Sequence, residues 1–229
     1  MIHVLKKMIK AVMPSTVMTL YSRFKWRLVN RPESLDCHHD YWKELEIRDD
    51  GYYRIFEDRS RFLVELVKKH ANPEAVIFEI GCSVGMNLNA LWNAGFKNLA
   101  GLEINEKAVE RFKVLYPEVV NSGVKIIVSS IEQSIKLLPD KEYDVVVAVR
   151  TLAHVHKSSD WVMNEIARIT KDILITIEVE TPQDWKHFPR NYKDVFEACG
   201  MIQIEEPDFD TTMAKMSKDT VVRVFKGSP

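Results

Sequence analysis

Cysteine is scarce in this chain. Cys37, Cys82 and Cys199 are an odd number at unrelated spacings, which indicates neither a disulfide framework nor a zinc site and fits a reducing cytoplasm. Long apolar runs are missing as well, and none approaches the roughly 20 residues of a membrane-spanning helix. The N-terminal apolar stretch is broken by lysines and followed by no small-residue cleavage site, so it does not read as a signal peptide. No internal repeat or low-complexity segment is visible. Residues 1–32 contain no acid at all.

What is there is the composition of a soluble globular protein, 46% apolar over 229 residues, enough for one α/β domain with an N-terminal extension. The net charge of −1 hides an asymmetry. Lys6, Lys7, Lys10, Arg23, Lys25, Arg27 and Arg31 make the first 32 residues a basic arm in front of an acidic remainder. Ile2, Val4, Leu5, Met8, Ile9, Val12 and Met13 recur between the lysines as an amphipathic helix that stops near Pro14. Such a helix can lie on an anionic membrane surface, bind nucleic acid, fold over the domain as a lid, or pack with its lysines in water. Tyr41-Trp42 and Tyr52-Tyr53-Arg54-Ile55-Phe56 follow, an aromatic segment able to close over a bound molecule and equally able to serve as packing alone. The expected division is therefore residues 1–58 for arm and lid, and 59–229 for the domain.

The most informative stretch is Val76-Ile77-Phe78-Glu79-Ile80-Gly81-Cys82-Ser83-Val84-Gly85-Met86-Asn87, an apolar strand running into a turn with two spaced glycines. Glycine brings bare backbone close to a ligand. A second strand, Leu99-Ala100-Gly101-Leu102-Glu103-Ile104, ends in a carboxylate suited to the two hydroxyls of a ribose. Dinucleotide folds use G-x-G-x-x-G at a pyrophosphate. This turn reads E-x-G-x-x-x-G instead, and its glutamate would repel a pyrophosphate but welcome a cation such as the sulfonium and ammonium of S-adenosylmethionine. On these residues the chain resembles the class I S-adenosylmethionine-dependent methyltransferases over roughly residues 59–226.

Helical periodicity over 59–69 precedes a strand at 76–80. Elements then alternate: helix 86–94, strand 99–104, helix 106–115 ended by Pro117, strand 124–129, helix 131–137, strand 144–149, helix 158–169 and strand 172–178. Helix 191–198 leads to strands 201–205 and 220–225 with no helix between them, so that pair must be antiparallel. The alternation predicts a doubly wound parallel sheet. The resemblance implies seven strands in a Rossmann-like methyltransferase fold with the last strand inserted antiparallel.

Ligands of such sheets sit at the carboxyl ends of the strands, so the chemistry-bearing residues are sought there. The resemblance points to Glu79, Gly81, Cys82, Ser83, Gly85, Asn87, Glu103, Ile104, Ser130, Ile131 and Arg150 for the cofactor, with Ser130, Glu132 or the backbone alone at the adenine. After the fourth strand, Leu152-Ala153-His154 stands where relatives often read L-E-H. His154 is a candidate general base for a hydroxyl acceptor, since imidazole titrates near pH 6.5; the alternative is a structural histidine bonded to backbone. His156, Glu178, His187 and Arg190 are candidates for the acceptor, Arg190 because its guanidinium can bind a carboxylate or phosphate in a fork. Trp185 and Phe188 can stack on a flat ligand. The stretch His187-Phe188-Pro189-Arg190-Asn191-Tyr192 resembles methyltransferases of bacterial surface-polysaccharide clusters, which implies a sugar hydroxyl as acceptor.

Other reactions leave other marks. The D/N-P-P-Y/F tetrapeptide of nucleic-acid amino-group methylation is replaced by Val149-Arg150-Thr151-Leu152. Cytosine C5 chemistry needs a nucleophilic cysteine, whereas Cys82 sits in the cofactor turn. A metal-dependent enzyme needs clustered oxygens; Glu178, Glu180 and Asp184 are candidates without an established ligand pattern, so no metal is expected. The reading is a cytoplasmic O-methyltransferase of a small molecule or glycan, able to sit at the inner membrane face through residues 1–32. RNA or lipid methylation, and a degenerate scaffold, are the alternatives.

Overall fold

The strand–helix alternation is realised almost element for element. In the computed structural model, which describes residues 34–48, 56–181, 186–212 and 216–227, the order is α1 (Leu35–Lys43), α2 (Glu57–His70), β1 (Ile77–Ile80), α3 (Met86–Asn93), β2 (Leu99–Glu103), α4 (Glu106–Leu115), α5 (Pro117–Asn121), β3 (Lys125–Val128), α6 (Ile131–Ser134), β4 (Tyr143–Val149), α7 (Val162–Ile169), β5 (Thr170–Val179), α8 (Tyr192–Ala198), β6 (Ile202–Glu205) and β7 (Thr220–Lys226). The basic arm with its expected helix, residues 52–55, Asp184 and Trp185 lie outside the described residues. The compact unit that holds the sheet begins at Leu35.

The sheet has seven strands in the order β3-β2-β1-β4-β5-β7-β6. The first five are parallel, and β7 pairs antiparallel with both β5 and β6. This is the α/β methyltransferase fold with its last strand inserted in reverse. The chain leaves β1 toward one edge and returns at β4 to the other side of β1, so the topological switch, where such sheets bind ligands, falls between β1 and β4.

Sequence explains the layering. In β4, Val145, Val147 and Val149 pack on one face while Val146 and Ala148 pack on the other. A strand covered on both faces needs an unbroken apolar run rather than alternation. The edge strands β3 and β6 are half exposed along their length. In α7, Val162, Met163, Ile166 and Ile169 form one buried stripe. Truncating any such core side chain to alanine costs about 2–5 kcal/mol.

Several boundaries differ from the sequence reading, two of them for a local reason. Pro117 ends α4 as expected but also opens α5, where its missing N–H is no loss at a first helical position. The helix expected over 158–169 starts at Val162, because His156 accepts from the Ser158 amide and turns Lys157–Ser159 into a separate 3-10 turn. The short helix α1 is absent from the sequence reading altogether.

Candidate active site

A cleft of about 470 Å³ opens over the carboxyl ends of β1, β2 and β4. Its floor is the turn after β1. Gly81 has φ +73, and a Cβ there would run into the Thr151 side chain. Gly85 has φ +76 and begins α3, and a Cβ there would collide with the Phe112 ring. Only the first of these glycines lines the cleft. Gly85 serves the turn and the packing of α3 on α4.

Glu103 closes β2. Its Oε1 accepts from the Asn105 amide at 2.8 Å and its Oε2 from the Ser83 amide at 2.8 Å. These bonds partly offset the burial that raises its pKa. They fix both oxygens at the cleft wall, each with a lone pair to spare for a ribose hydroxyl. Ser83, at φ 48, supplies one of these donors from a backbone conformation that side chains seldom adopt.

Glu79 is 1% exposed. Asn87 donates to its Oε1 at 2.6 Å and is itself fixed by the Ser60 hydroxyl at 2.6 Å. Burial pushes the Glu79 carboxyl up to about 7, against the opposing pull of Asn87 and Arg59. Its Oε2 has no partner among the described residues, and neither has the buried hydroxyl of Ser130 across the cleft. An orphaned carboxylate oxygen at one end and an orphaned hydroxyl at the other are what a cationic amino-acid tail and an adenine would satisfy. The residues present thus fit S-adenosylmethionine. Cys82, Ile104, Ile131 and Arg150 line the same cleft, although Cys82 packs its sulfur toward Gly101 and burial raises its thiol well above the usual range.

At the far end stands His154. Its Nδ1–H donates to the Lys186 carbonyl at 3.3 Å, which leaves Nε2 with the lone pair. Its ring lies 4.2 Å from that of Trp42 and 4.6 Å from that of His187. Burial first, then the charges of His187, Arg150 and Lys186, lower its pKa to about 3, with only the backbone bond opposing. His187 lines the cleft beside it.

Three acceptor candidates stand elsewhere. Glu178 is fully buried and accepts from the amides of Thr151, Leu152 and Ala153 at 2.7, 2.8 and 3.3 Å; it shapes the turn that carries His154 and does not line the cleft. Arg190 donates to the carbonyls of Leu152, Phe188, Val155 and His156 and to Asp160, so its fork is already filled by the protein. His156 caps its 3-10 turn and packs on Phe188 at 4.8 Å. All three hold the loops at this end in place. Of the oxygens weighed as metal ligands, Glu178 is committed to backbone and Glu180 to a two-pronged pair with Arg223.

The sequence reading left out most of the roof. In α1, His38 accepts from the Trp42 indole at 3.1 Å and His39 bonds Glu132 at 2.9 Å. Asn105, whose side chain caps α4, also donates to the carbonyls of Trp42 and Leu45 and ties this segment to the end of β2. Asparagine before a helix is legible as a cap; its two amide protons reaching some 60 residues back are not.

Residues 78–173 match the family profile described as a methyltransferase domain. Ubiquinone biosynthesis O-methyltransferase of Rickettsia bellii is 27% identical over 137 residues, 57% of this chain and 53% of that protein; its counterpart in Rickettsia felis is 27% identical over 139 residues, 57% and 52%. The chain spans about half the length of the curated relatives it matches. Among solved structures, magnesium protoporphyrin IX methyltransferase from Synechocystis PCC 6803 with bound SAH superposes with TM-score 0.64 at 15% identity, covering 83% of this chain and 98% of that one. These matches and the geometry of the β1 and β2 ends agree: residues 78–173 are a methyltransferase domain in a chain with the methyltransferase fold, and the cofactor is S-adenosylmethionine.

Proposed function

We propose that the protein transfers a methyl group from S-adenosylmethionine to a hydroxyl of a small-molecule acceptor, specifically a sugar of a surface glycan or its precursor. The observation that carries the transfer reaction is the pairing of Glu79 and Glu103 at the ends of adjacent strands, one oxygen unpartnered and two held ready. When bound, the cofactor supplies an electrophilic methyl for a single in-line displacement by the acceptor oxygen. Much of the barrier in such a reaction is met by holding the partners close and aligned. Glu103 would hold the ribose, Glu79 the cationic tail, Arg59 beside it the carboxylate, and Ser130 with Ile131 the adenine.

His154 would take the acceptor proton at Nε2, its other nitrogen being occupied by the Lys186 carbonyl. A hydroxyl acceptor is supported by this imidazole and by the O-methyltransferase names of the relatives. The sugar rests on the resemblance of residues 187–192 and on the aromatic rings of Trp42, His154 and His187 at the acceptor end. Transfer of labelled methyl from S-adenosylmethionine to cell-envelope glycans, nucleotide sugars, lipids and RNA, assayed side by side, tests the reading. Label in the sugar fractions is the expected outcome, label in RNA or lipid reassigns the acceptor, and failure to bind S-adenosylhomocysteine in calorimetry would leave only a scaffold.

A further inference from the structure

The arginines of the sheet's carboxyl end and its flanks are unequally used. Arg168 donates to two carbonyls and two carboxylates, Arg190 to four carbonyls and Asp160, and Arg223 to Glu180, Glu206 and Gln203. Arg150 is different. It lines the cleft; its guanidinium makes no hydrogen bond or close ion pair among the described residues, and the carboxylate it acts on, that of Glu178, is already held by three backbone amides. The Arg150 backbone stands at φ 54, in the left-handed region, and its N–H donates a hydrogen bond to the Ile177 carbonyl at 2.9 Å. Strain of this kind costs about 1–3 kcal/mol and persists where the surrounding structure enforces it, commonly at functional sites.

The charges of the cofactor do not require this arginine. Glu79 would answer the cationic tail, and Arg59, which lines the cleft and acts on Glu79, would stand beside the carboxylate. Arg150 sits instead on the His154 side, where it, Lys186 and His187 all act on the imidazole in the same sense. Arg150, Lys186 and His187 thus gather with the rings of Trp42 and His154 at the acceptor end of the cleft, and the carboxylate that Arg150 acts on, Glu178, does not line that cleft.

We propose that Arg150 is a specificity-determining residue that binds an anionic group, a carboxylate or a phosphate, carried by the acceptor beside the hydroxyl that is methylated. This rests on the methyltransferase reading and narrows its substrate to an acidic one, such as a uronic acid or a sugar phosphate. The fork geometry of a guanidinium suits either anion. A bound anion also lessens the positive field on His154 and so strengthens the base at the moment the acceptor is in place.

The test uses the full-length protein loaded with S-adenosylhomocysteine. Glucuronate, glucose 1-phosphate and glucose are titrated by calorimetry, and the same titrations are repeated on Arg150→Gln and Arg150→Lys. At least one of the two anions is expected to bind, with glucose weaker by about tenfold or more, and Arg150→Gln should lose that margin, the size of one charge-assisted hydrogen bond. Arg150→Lys should keep part of it. Preference for glucuronate alone identifies a carboxylate and for glucose 1-phosphate alone a phosphate. Equal binding of all three, or no binding by either anion, overturns the proposal.

Affinity for S-adenosylhomocysteine and for 5′-methylthioadenosine, which lacks the amino-acid tail, is measured in parallel. Both should be unchanged in Arg150→Gln. Selective loss of S-adenosylhomocysteine would give Arg150 to the cofactor carboxylate and overturn the acceptor role, whereas no cofactor binding by the unaltered protein would fail the methyltransferase reading itself.

Discussion

The two ends of the cleft are built by different means. At the cofactor end, Glu79, Gly81, Ser83 and Glu103 come from two adjacent strands and one turn, and their partners lie within about twenty residues: backbone for Gly81, Ser83 and Glu103, the Asn87 side chain for Glu79. At the acceptor end, Trp42, Arg150, His154, Lys186 and His187 come from three segments far apart in the chain and meet through ring contacts and one backbone carbonyl. The first end is a rigid holder; the second is an assembly whose pieces can be exchanged while the holder stays.

The same contrast appears in two buried glutamates. Glu79 and Glu178 end neighbouring parts of the sheet, both fully buried and both pushed up to about 7 by desolvation. Glu178 spends its oxygens on three backbone amides and disappears into the structure. Glu79 keeps one oxygen in reserve. A buried carboxylate is a structural element when the protein itself saturates it and a binding element when it does not.

The largest expected effect lies at the acceptor end. His154→Ala should lower turnover by roughly 10²–10⁴-fold, the contribution typical of a positioned general base, while affinity for S-adenosylhomocysteine stays within about twofold. Single-turnover methyl transfer and calorimetry measure the two separately. Normal turnover in a folded variant would make the imidazole a structural wall and leave the acceptor end with shape alone.

Next is the cofactor end. Glu103→Ala removes two charge-assisted bonds to ribose hydroxyls, each worth about 1.5–3 kcal/mol, and also releases the Ser83 and Asn105 amides. Cofactor affinity should fall by about 100-fold or more. Unchanged affinity would remove the ribose from Glu103.

This division explains what could be read in advance. The alternation of strands and helices, the antiparallel last pair and the cofactor turn depend on local patterns: apolar runs of strand length, glycines at fixed offsets, a carboxylate at a strand tip. Those patterns lie within one or two elements, so the sequence displays them. Glu178 and Arg190 looked like ligands because they are charged residues near strand ends, but their role was decided by backbone amides and carbonyls some 25–38 residues away. Trp42 was visible as an aromatic; that it lies against His154 was not, because α1 is joined to the sheet by contacts that leave no periodic trace.

A pH titration separates the two glutamates. Because the folded pKa of Glu79 is raised from 4.5 to about 7, its neutral form suits the empty protein. That contribution to stability is complete below about pH 4.5 and is lost as pH rises through 7. Binding of the cationic tail needs the ionised form, so cofactor affinity should rise through the same range, by up to about tenfold per pH unit below 7. Melting temperature of the empty protein and S-adenosylhomocysteine affinity should therefore run in opposite directions between pH 5.5 and 7.5. Glu79→Gln should flatten the affinity profile, while Glu178→Gln should leave its slope intact.

The smallest effect concerns the joint between the two ends. Asn105 caps α4 through its oxygen and holds α1 through its amide, donating to Trp42 and Leu45 carbonyls at 3.1 and 2.9 Å. Asn105→Asp keeps the capping oxygen and removes the two donors, so helix stability should change little; Asn105→Ala removes both and should cost about 0.5–2 kcal/mol for the cap alone. If α1 is held over the cleft by this residue, both variants should speed hydrogen exchange in residues 35–45 to a similar extent, and both should weaken cofactor binding by only a few-fold, since the Glu103 and Glu79 contacts remain. Protection of α1 unchanged in Asn105→Asp would mean that the His39–Glu132 pair and the Trp42–His154 contact carry the roof by themselves, and that the two ends are coupled through the acceptor side rather than through β2.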